Sequence, residues 1–175
     1  MESKLKTHPK VAIVAGLERE LRFIKKISNI KTFQGYSKNA LIAAKKGLSE
    51  NPDVIISFGF AGSINPKVLN GKVIIPQKII DKFGKQKNVS KEYSEFFKKR
   101  IIGKVYEQNL MTLDKVEYDL NNKKYLKRKI SFVDMESSYI QQEAIKKKIP
   151  FITLRGIVDD LNFSIPRFLE KCIDK

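Results

Sequence analysis

Glu20, Glu136 and Asp159 are the residues of this chain whose type and setting suit them to chemistry. Each stands just beyond an apolar run that reads as a buried strand: Val11 to Ala15, Ile130 to Val133 and Phe151 to Val158. Carboxyl groups can act as acids, as bases or as acceptors for hydroxyls. The chain offers little else for such work. His8 is its only histidine and Cys172 its only cysteine, so neither a Cys/His metal cluster nor a Ser-His or Cys-His nucleophile system is expected. Catalysis must rest on carboxylates.

The last two of these runs are separated by one helix-length of amphipathic sequence, which makes a βαβ unit. Open parallel sheets bind ligands beyond the C-terminal ends of their strands, so Glu136 and Asp159 are expected on one sheet edge, with Glu20 beside them. A further strand, Asp53 to Phe58, ends in Gly59-Phe-Ala-Gly62, a turn that lets backbone approach a ligand closely. Taken singly, each feature has an ordinary structural use: an acid in a first helical turn favours the dipole, and glycines make turns. Neither phosphate-binding glycine fingerprint is present. Gly16 lacks the second and third glycines of a dinucleotide site, and no Gly-Lys-Ser/Thr follows any loop.

The elements that must position these residues alternate between strand and helix. The spacing of Leu21, Ile24 and Ile27 predicts a helix from Glu18 to Ile27. A strand is expected over Ile30 to Phe33, and a helix from a Ser37 cap through Lys46, stopped by Gly47. Lys72 to Pro76 and Lys78 to Asp81 read as a bent strand or hairpin broken at Pro76. Gln86 to Arg100 is polar, a loop with a short helix. Ile101 to Tyr106 reads as a strand and Leu110-Met111 as the start of another. Thr112 resembles the cap of a helix running towards Arg128. Glu136 to Lys148 and Ser164 to Ile173 are expected helices, the latter with Pro166 in its first turn. The pattern is that of an α/β protein, a three-layer α/β/α sandwich with a mixed, mostly parallel central sheet.

At 175 residues the chain is expected to form a single domain over 1–175. No run approaches the ~20 apolar residues needed to span a bilayer, and Met1 to Lys10 lacks the apolar core of a secretory signal, so a cytoplasmic location is expected. The net charge of +16 invites a nucleic-acid partner. It is mostly lysine spread along the chain, with arginine scarce and no aromatic residues interleaved in Lys123-Lys124, Lys127 to Lys129 or Lys146 to Lys148. A solvated basic surface is the expectation.

In chain order these pieces resemble the nucleoside phosphorylase and nucleosidase superfamily, whose members cleave N-glycosidic bonds of nucleosides. Ala15-Gly-Leu-Glu-Arg-Glu20-Leu resembles the family's first-strand motif. Ile56-Ser-Phe-Gly-Phe-Ala-Gly-Ser-Ile-Asn-Pro66 with Gly71 to Pro76 resembles its glycine turn and following strand. Asp134-Met-Glu136-Ser and Pro150-Phe-Ile-Thr-Leu-Arg-Gly-Ile-Val-Asp159 are the most specific matches. The resemblance assigns Asp159 to protonating or hydrogen-bonding the purine N7, Glu136 to gripping the ribose 2′- and 3′-hydroxyls, and Met135 to packing on the sugar. Glu20 matches the glutamate that activates water in the nucleosidases. Gly59, Ala61 and Gly62 form the turn that lines the substrate, and Val116 stands where an aromatic that stacks on the base is expected.

Phosphorylases of this superfamily carry an arginine two residues before the turn glycine and a serine or threonine just after it. Ser57 and Phe60 occupy those places here, which favours water over phosphate. Arg19, Arg22 or a lysine remains able to hold phosphate, so phosphorolysis stays open, with phosphate as co-substrate and no cofactor in either case. Around Leu110 to Val116 the sequence is similar to the compact hopanoid-associated phosphorylase branch, and Val158 replaces a serine many nucleosidases carry beside the aspartate. The resemblance implies a purine nucleoside of the methylthioadenosine or adenosylhomocysteine kind, or an adenosyl lipid for a phosphorylase, and a homodimer. A nucleoside-binding protein without turnover is the alternative outside the enzymes.

Overall fold

The computed structural model describes residues 8–22, 24, 27–115 and 129–161. Its strands are β1 (Val11–Ala15), β2 (Ile30–Gln34), β3 (Val54–Ser63), β4 (Val73–Ile74), β5 (Lys78–Ile80), β6 (Gln86–Asn88), β7 (Val105–Tyr106), β8 (Asn109–Thr112), β9 (Ile130–Asp134) and β10 (Phe151–Asp159). Its helices are α1 (Glu18–Leu21), α2 (Ala40–Ser49), α3 (Lys91–Lys98) and α4 (Ser137–Lys146), with a 3-10 turn at Ser37–Asn39 before α2.

The sheet is mixed and runs in the order β6-β5-β8-β9-β3-β10-β4-β7, with β1 and β2 on a branch from β3. Pairings of β1 with β2 and β3, β3 with β10, β5 with β8, β8 with β9 and β4 with β7 are parallel; β3–β9, β10–β4 and β5–β6 are antiparallel. Alternation along the buried strands sends side chains to two cores. Ala12, Val14 and Ile55 join Ala40, Ala44, Ile140 and Ala144 of α2 and α4 on one face. Val11, Ile13, Val54 and Ile56 join Leu21 and Tyr93 of α1 and α3 on the other. This is the expected α/β/α sandwich.

The branch in the sheet makes the site. The first half of β3 pairs with β1 as far as Ala15↔Phe58, while Gly62 and Ser63 pair with Val133 and Phe132 of β9. Gly62 also pairs with Asp159 of β10, so β1 and β9 share the opposite edge of β3. The ends of β1 and β9 therefore meet head-on across the gap at Gly59, whose φ is +142°. Everything that follows β1 and β9 converges there.

Several expectations on the elements are corrected. The helix after β1 ends at Leu21, because the next turns tighten to three-residue bonds, Ile24 N–H to the Leu21 carbonyl and Ile27 N–H to the Ile24 carbonyl. Ser37 is not a cap: it sits at φ +50° inside the 3-10 turn. Helix α2 passes through Gly47, where an added Cβ would meet Phe33 at 3.2 Å and Ala12 at 3.4 Å. That glycine serves close packing of helix on sheet rather than termination. Lys72 to Asp81 is no hairpin: β4 pairs with β10 and β7, β5 with β6 and β8. The expected strand from Ile101 is reduced to Val105–Tyr106, with Ile102 fully in solvent. Thr112 ends β8 and starts no helix of its own: its hydroxyl donates to Asp134 at 2.7 Å and accepts from Ser138 N–H, in the first turn of α4, at 2.9 Å. The ambiguous stretch after Gln86 resolves into β6 and α3, capped by the Ser90 hydroxyl. The helix expected towards Arg128 lies, beyond Lys115, outside the described residues, as do the one over Ser164 to Ile173 and Lys123, Lys124, Lys127 and Cys172.

Candidate active site

Loop and strand ends at the sheet branch enclose a cleft of about 790 Å³, counting the part open to solvent. Glu20, Ala61, Gly62, Met135, Glu136 and Asp159 all line it, joined by Leu17, Arg19, Tyr36, Phe60, Leu113, Lys115 and Val158. Val116 lies outside the described residues. Gly59 sits behind the wall, between Glu20 and Arg155: a Cβ there would fall 2.4 Å from Glu20 Oε1 and 2.7 Å from Arg155 Nη1.

Glu20 is aimed by backbone. It belongs to the single turn of α1, where Leu17 N–H donates to its Oε2 at 2.8 Å, and Phe60 N–H, from across the branch, donates to Oε1 at 3.1 Å. Both bonds fix the carboxylate at the junction of β1 and β3. Glu136 follows β9 and is buried. Arg155 Nη2 reaches its Oε2 at 3.3 Å, and Ser37 N–H donates to its Oε1 at 3.2 Å. The left-handed turn at Ser37 is what points that N–H inward. Burial pushes the Glu136 carboxyl up to about 7, the Arg155 charge opposing and the neighbouring Asp134 and Glu20 carboxylates adding to the rise. Gly16 leaves room for it: a Cβ there would lie 3.0 Å from Glu136 Oε1. Asp159 closes β10 opposite Gly62, and burial pushes its carboxyl up to about 6, with the Asp160 charge adding to the rise.

Beneath these three lies a polar core to which sequence reading assigns no role. Arg155, 2% exposed, donates from Nη2 to Ser57 Oγ at 2.7 Å and pairs with Asp134 Oδ2 at 2.8 Å. Its Nη1 donates to the carbonyls of Phe58 and Phe60 at 3.3 and 3.4 Å. Asp134 accepts from Thr112 Oγ1 at 2.7 Å, from Ser137 N–H at 3.1 Å and from the Ser137 hydroxyl. A signal was available: an arginine inside an otherwise apolar strand needs a buried carboxylate partner. Its partners come from positions distant in the sequence, so only the fold names them.

A family model described as the phosphorylase superfamily matches residues 4–171. The chain belongs to the phosphorylase superfamily. Among its superfamily relatives, the 5′-methylthioadenosine/S-adenosylhomocysteine nucleosidase of Buchnera aphidicola subsp. Schizaphis graminum is 30% identical over 196 residues, covering 86% of this chain and 83% of that protein. The fold is shared with the nucleosidase of the same name from Neisseria meningitidis, crystallised with methylthio-immucillin-A, at a TM-score of 0.74, 16% identity and 86% coverage of both chains. The Colwellia psychrerythraea enzyme, crystallised with adenine, matches at a TM-score of 0.77 and 16% identity over 88% of this chain and 84% of its own. In this superfamily member, no helix among the described residues is long and apolar enough to cross a membrane.

Proposed function

We propose that this protein hydrolyses the N-glycosidic bond of a purine nucleoside of the methylthioadenosine or adenosylhomocysteine kind and releases adenine. The observation that carries the reading is the convergence of Glu20, Glu136 and Asp159 on one cleft in three different environments. Asp159, raised by burial, keeps a proton for the departing purine. As the C1′–N9 bond breaks, its electron pair moves into the base and Asp159 protonates N7. Glu136 accepts from the ribose hydroxyls, with Met135 against the sugar. Glu20, held by two backbone N–H groups, takes a proton from the water whose oxygen bonds to C1′. Ala61 and Gly62 line the substrate, Gly59 stands behind them against Glu20 and Arg155, and Val116 is the residue beside the base.

Water is favoured because the donors near Glu20 are already engaged. Leu17 N–H and Phe60 N–H serve Glu20, both Arg155 Nη atoms serve protein oxygens, and Phe60 contributes a ring rather than a hydroxyl. One observation supports phosphorolysis instead: Arg19 and Lys115 line the cleft with no side-chain partner among the described residues. Adenine release from methylthioadenosine and S-adenosylhomocysteine, measured with and without phosphate, separates the two. Release independent of phosphate is expected. Strict dependence on phosphate would install the phosphorylase, and binding without release would leave a nucleoside-binding protein. We further read the chain as one domain that needs no cofactor and works as a cytoplasmic homodimer; a monomer by light scattering at working concentration would remove the dimer.

A further inference from the structure

Asp134 and Glu136 share one cation. Arg155 Nη2 lies 2.8 Å from Asp134 Oδ2 and 3.3 Å from Glu136 Oε2. The Asp134 side chain has no exposure at all, and it is fastened from two sides, by the Thr112 hydroxyl of β8 and by the Ser137 N–H at the head of α4. Arg155 is fastened too, because Nη1 is held by the carbonyls of Phe58 and Phe60. The guanidinium therefore cannot turn to face Glu136 squarely. Glu136 is left with two long contacts, one on each oxygen.

We propose that Asp134 is a positioning residue for the glycosidic reaction: by taking the near contact with Arg155, it leaves Glu136 half-paired, with lone pairs available to the sugar hydroxyls. This rests on the nucleoside-cleaving reading above. A carboxylate in a full fork with arginine spends its lone pairs on the guanidinium, and a buried one does so at short range. Two buried carboxylates facing one guanidinium cannot both be neutralised, and the one held more loosely keeps its acceptor capacity. The charged groups that face Glu136 are Asp134 from β9, Arg155 from β10 and Glu20 from α1, with Arg19 and Lys115 on the same cleft.

Asp134→Asn keeps the shape while removing the charge, so Arg155 Nη2 loses its charged near partner and draws closer to Glu136, with Nη1 still held by the two carbonyls. Two results are expected. The Glu136 carboxyl, followed by 13C NMR in ligand-free protein, titrates at lower pH by a unit or more. At pH 8, affinity for a carbocyclic adenosine, whose base cannot leave, falls about tenfold, while affinity for adenine is unchanged. A residue that merely supports the fold would weaken both ligands alike; the lost Asp134 charge lowers the Glu136 titration by itself, so the ratio of the two affinities is the reading that discriminates. Should Asp134→Asn not fold, Thr112→Val loosens the same carboxylate from β8 and lowers only the sugar-dependent affinity, about threefold. An unmoved Glu136 titration, or an unchanged ratio of the two affinities, overturns the proposal. Failure of the wild type to cleave any nucleoside would remove the catalytic reading, and the ratio of the carbocyclic adenosine and adenine affinities would still test how Arg155 is shared.

Discussion

A Cβ on Gly62 would fall 2.9 Å from Asp159 Oδ2 and 3.0 Å from Oδ1. The two residues are paired across β3 and β10 just after the register slips between Ile157 and Asp159, and this slip brings the carboxyl over the bare backbone of Gly62. A side chain at Gly62 would push the proton donor off its place. Gly62→Ala is expected to lower kcat for adenine release by about a hundredfold, the scale of a lost general acid. Thermal stability should fall only modestly, since the closest atoms displaced are the end of the Asp159 side chain, with Val133 Cγ2 at 3.1 Å having to give by a few tenths of an ångström. Gly156→Ala is the control: its Cβ would make ordinary contact with the Phe60 ring at 3.5 Å, and activity should persist.

Gly59 makes a sharper demand. Its φ of +142° is strained for any other residue, and a Cβ would collide with Glu20 Oε1 at 2.4 Å and Arg155 Nη1 at 2.7 Å. Gly59→Ala should therefore lose both activity and stability, the latter by about 1–3 kcal/mol. Denaturant unfolding reads the second loss. Wild-type stability in the variant would show that the branch of the sheet tolerates a side chain there.

Protonation of Asp159 and ionisation of Glu136 are required together by the proposed chemistry. Asp159 holds its proton below about 6, and Glu136 gives its proton up above about 7. Below pH 6 the rate should fall tenfold per unit as Glu136 becomes neutral. Above pH 7 it should fall equally as the protonated Asp159 disappears, and between the two the losses cancel into a plateau. Asp159→Asn should reduce kcat by roughly a hundred- to a thousandfold and remove the fall on the alkaline side. A wild-type rate that climbs steadily from pH 6 to 9 would eliminate Asp159 as the acid.

How much of this is legible in the sequence depends on the distance over which each feature is determined. β1 is a continuous apolar run and β3, β9 and β10 are mostly apolar ones, so their burial and the convergence of Glu20, Glu136 and Asp159 can be read locally. Ser37, Thr112 and Gly47 mislead because each has a common local use that a tertiary contact overrides: Glu136 for the Ser37 N–H, Asp134 for the Thr112 hydroxyl, Phe33 for Gly47. Arg155 stands in plain view in β10, but what it does depends on Ser57 and Asp134, which only the assembled sheet places beside it. Pairings of that kind have no sequence period to betray them.

Glu136 also ties the site to folding. The sign follows from proton counting: burial raises its carboxyl from about 4.5 to about 7, so between those values the native state holds a proton that the unfolded chain has lost. Stability from this group is full below about pH 4.5, declines as pH rises through the window, and levels off above about pH 7. Glu136→Gln cannot ionise and escapes the decline, and Arg155 keeps Asp134 as its counter-charge. Other carboxylates, Asp159 included, are common to both proteins and cancel in the comparison. The difference in unfolding free energy between variant and wild type should therefore move in the variant's favour by roughly 2–3 kcal/mol between pH 5 and pH 8. Urea unfolding of both proteins across that range measures it. A difference independent of pH would mean that Glu136 is as ionised in the fold as in the unfolded chain, and the cost of holding a sugar-binding carboxylate in this cleft would have to lie elsewhere.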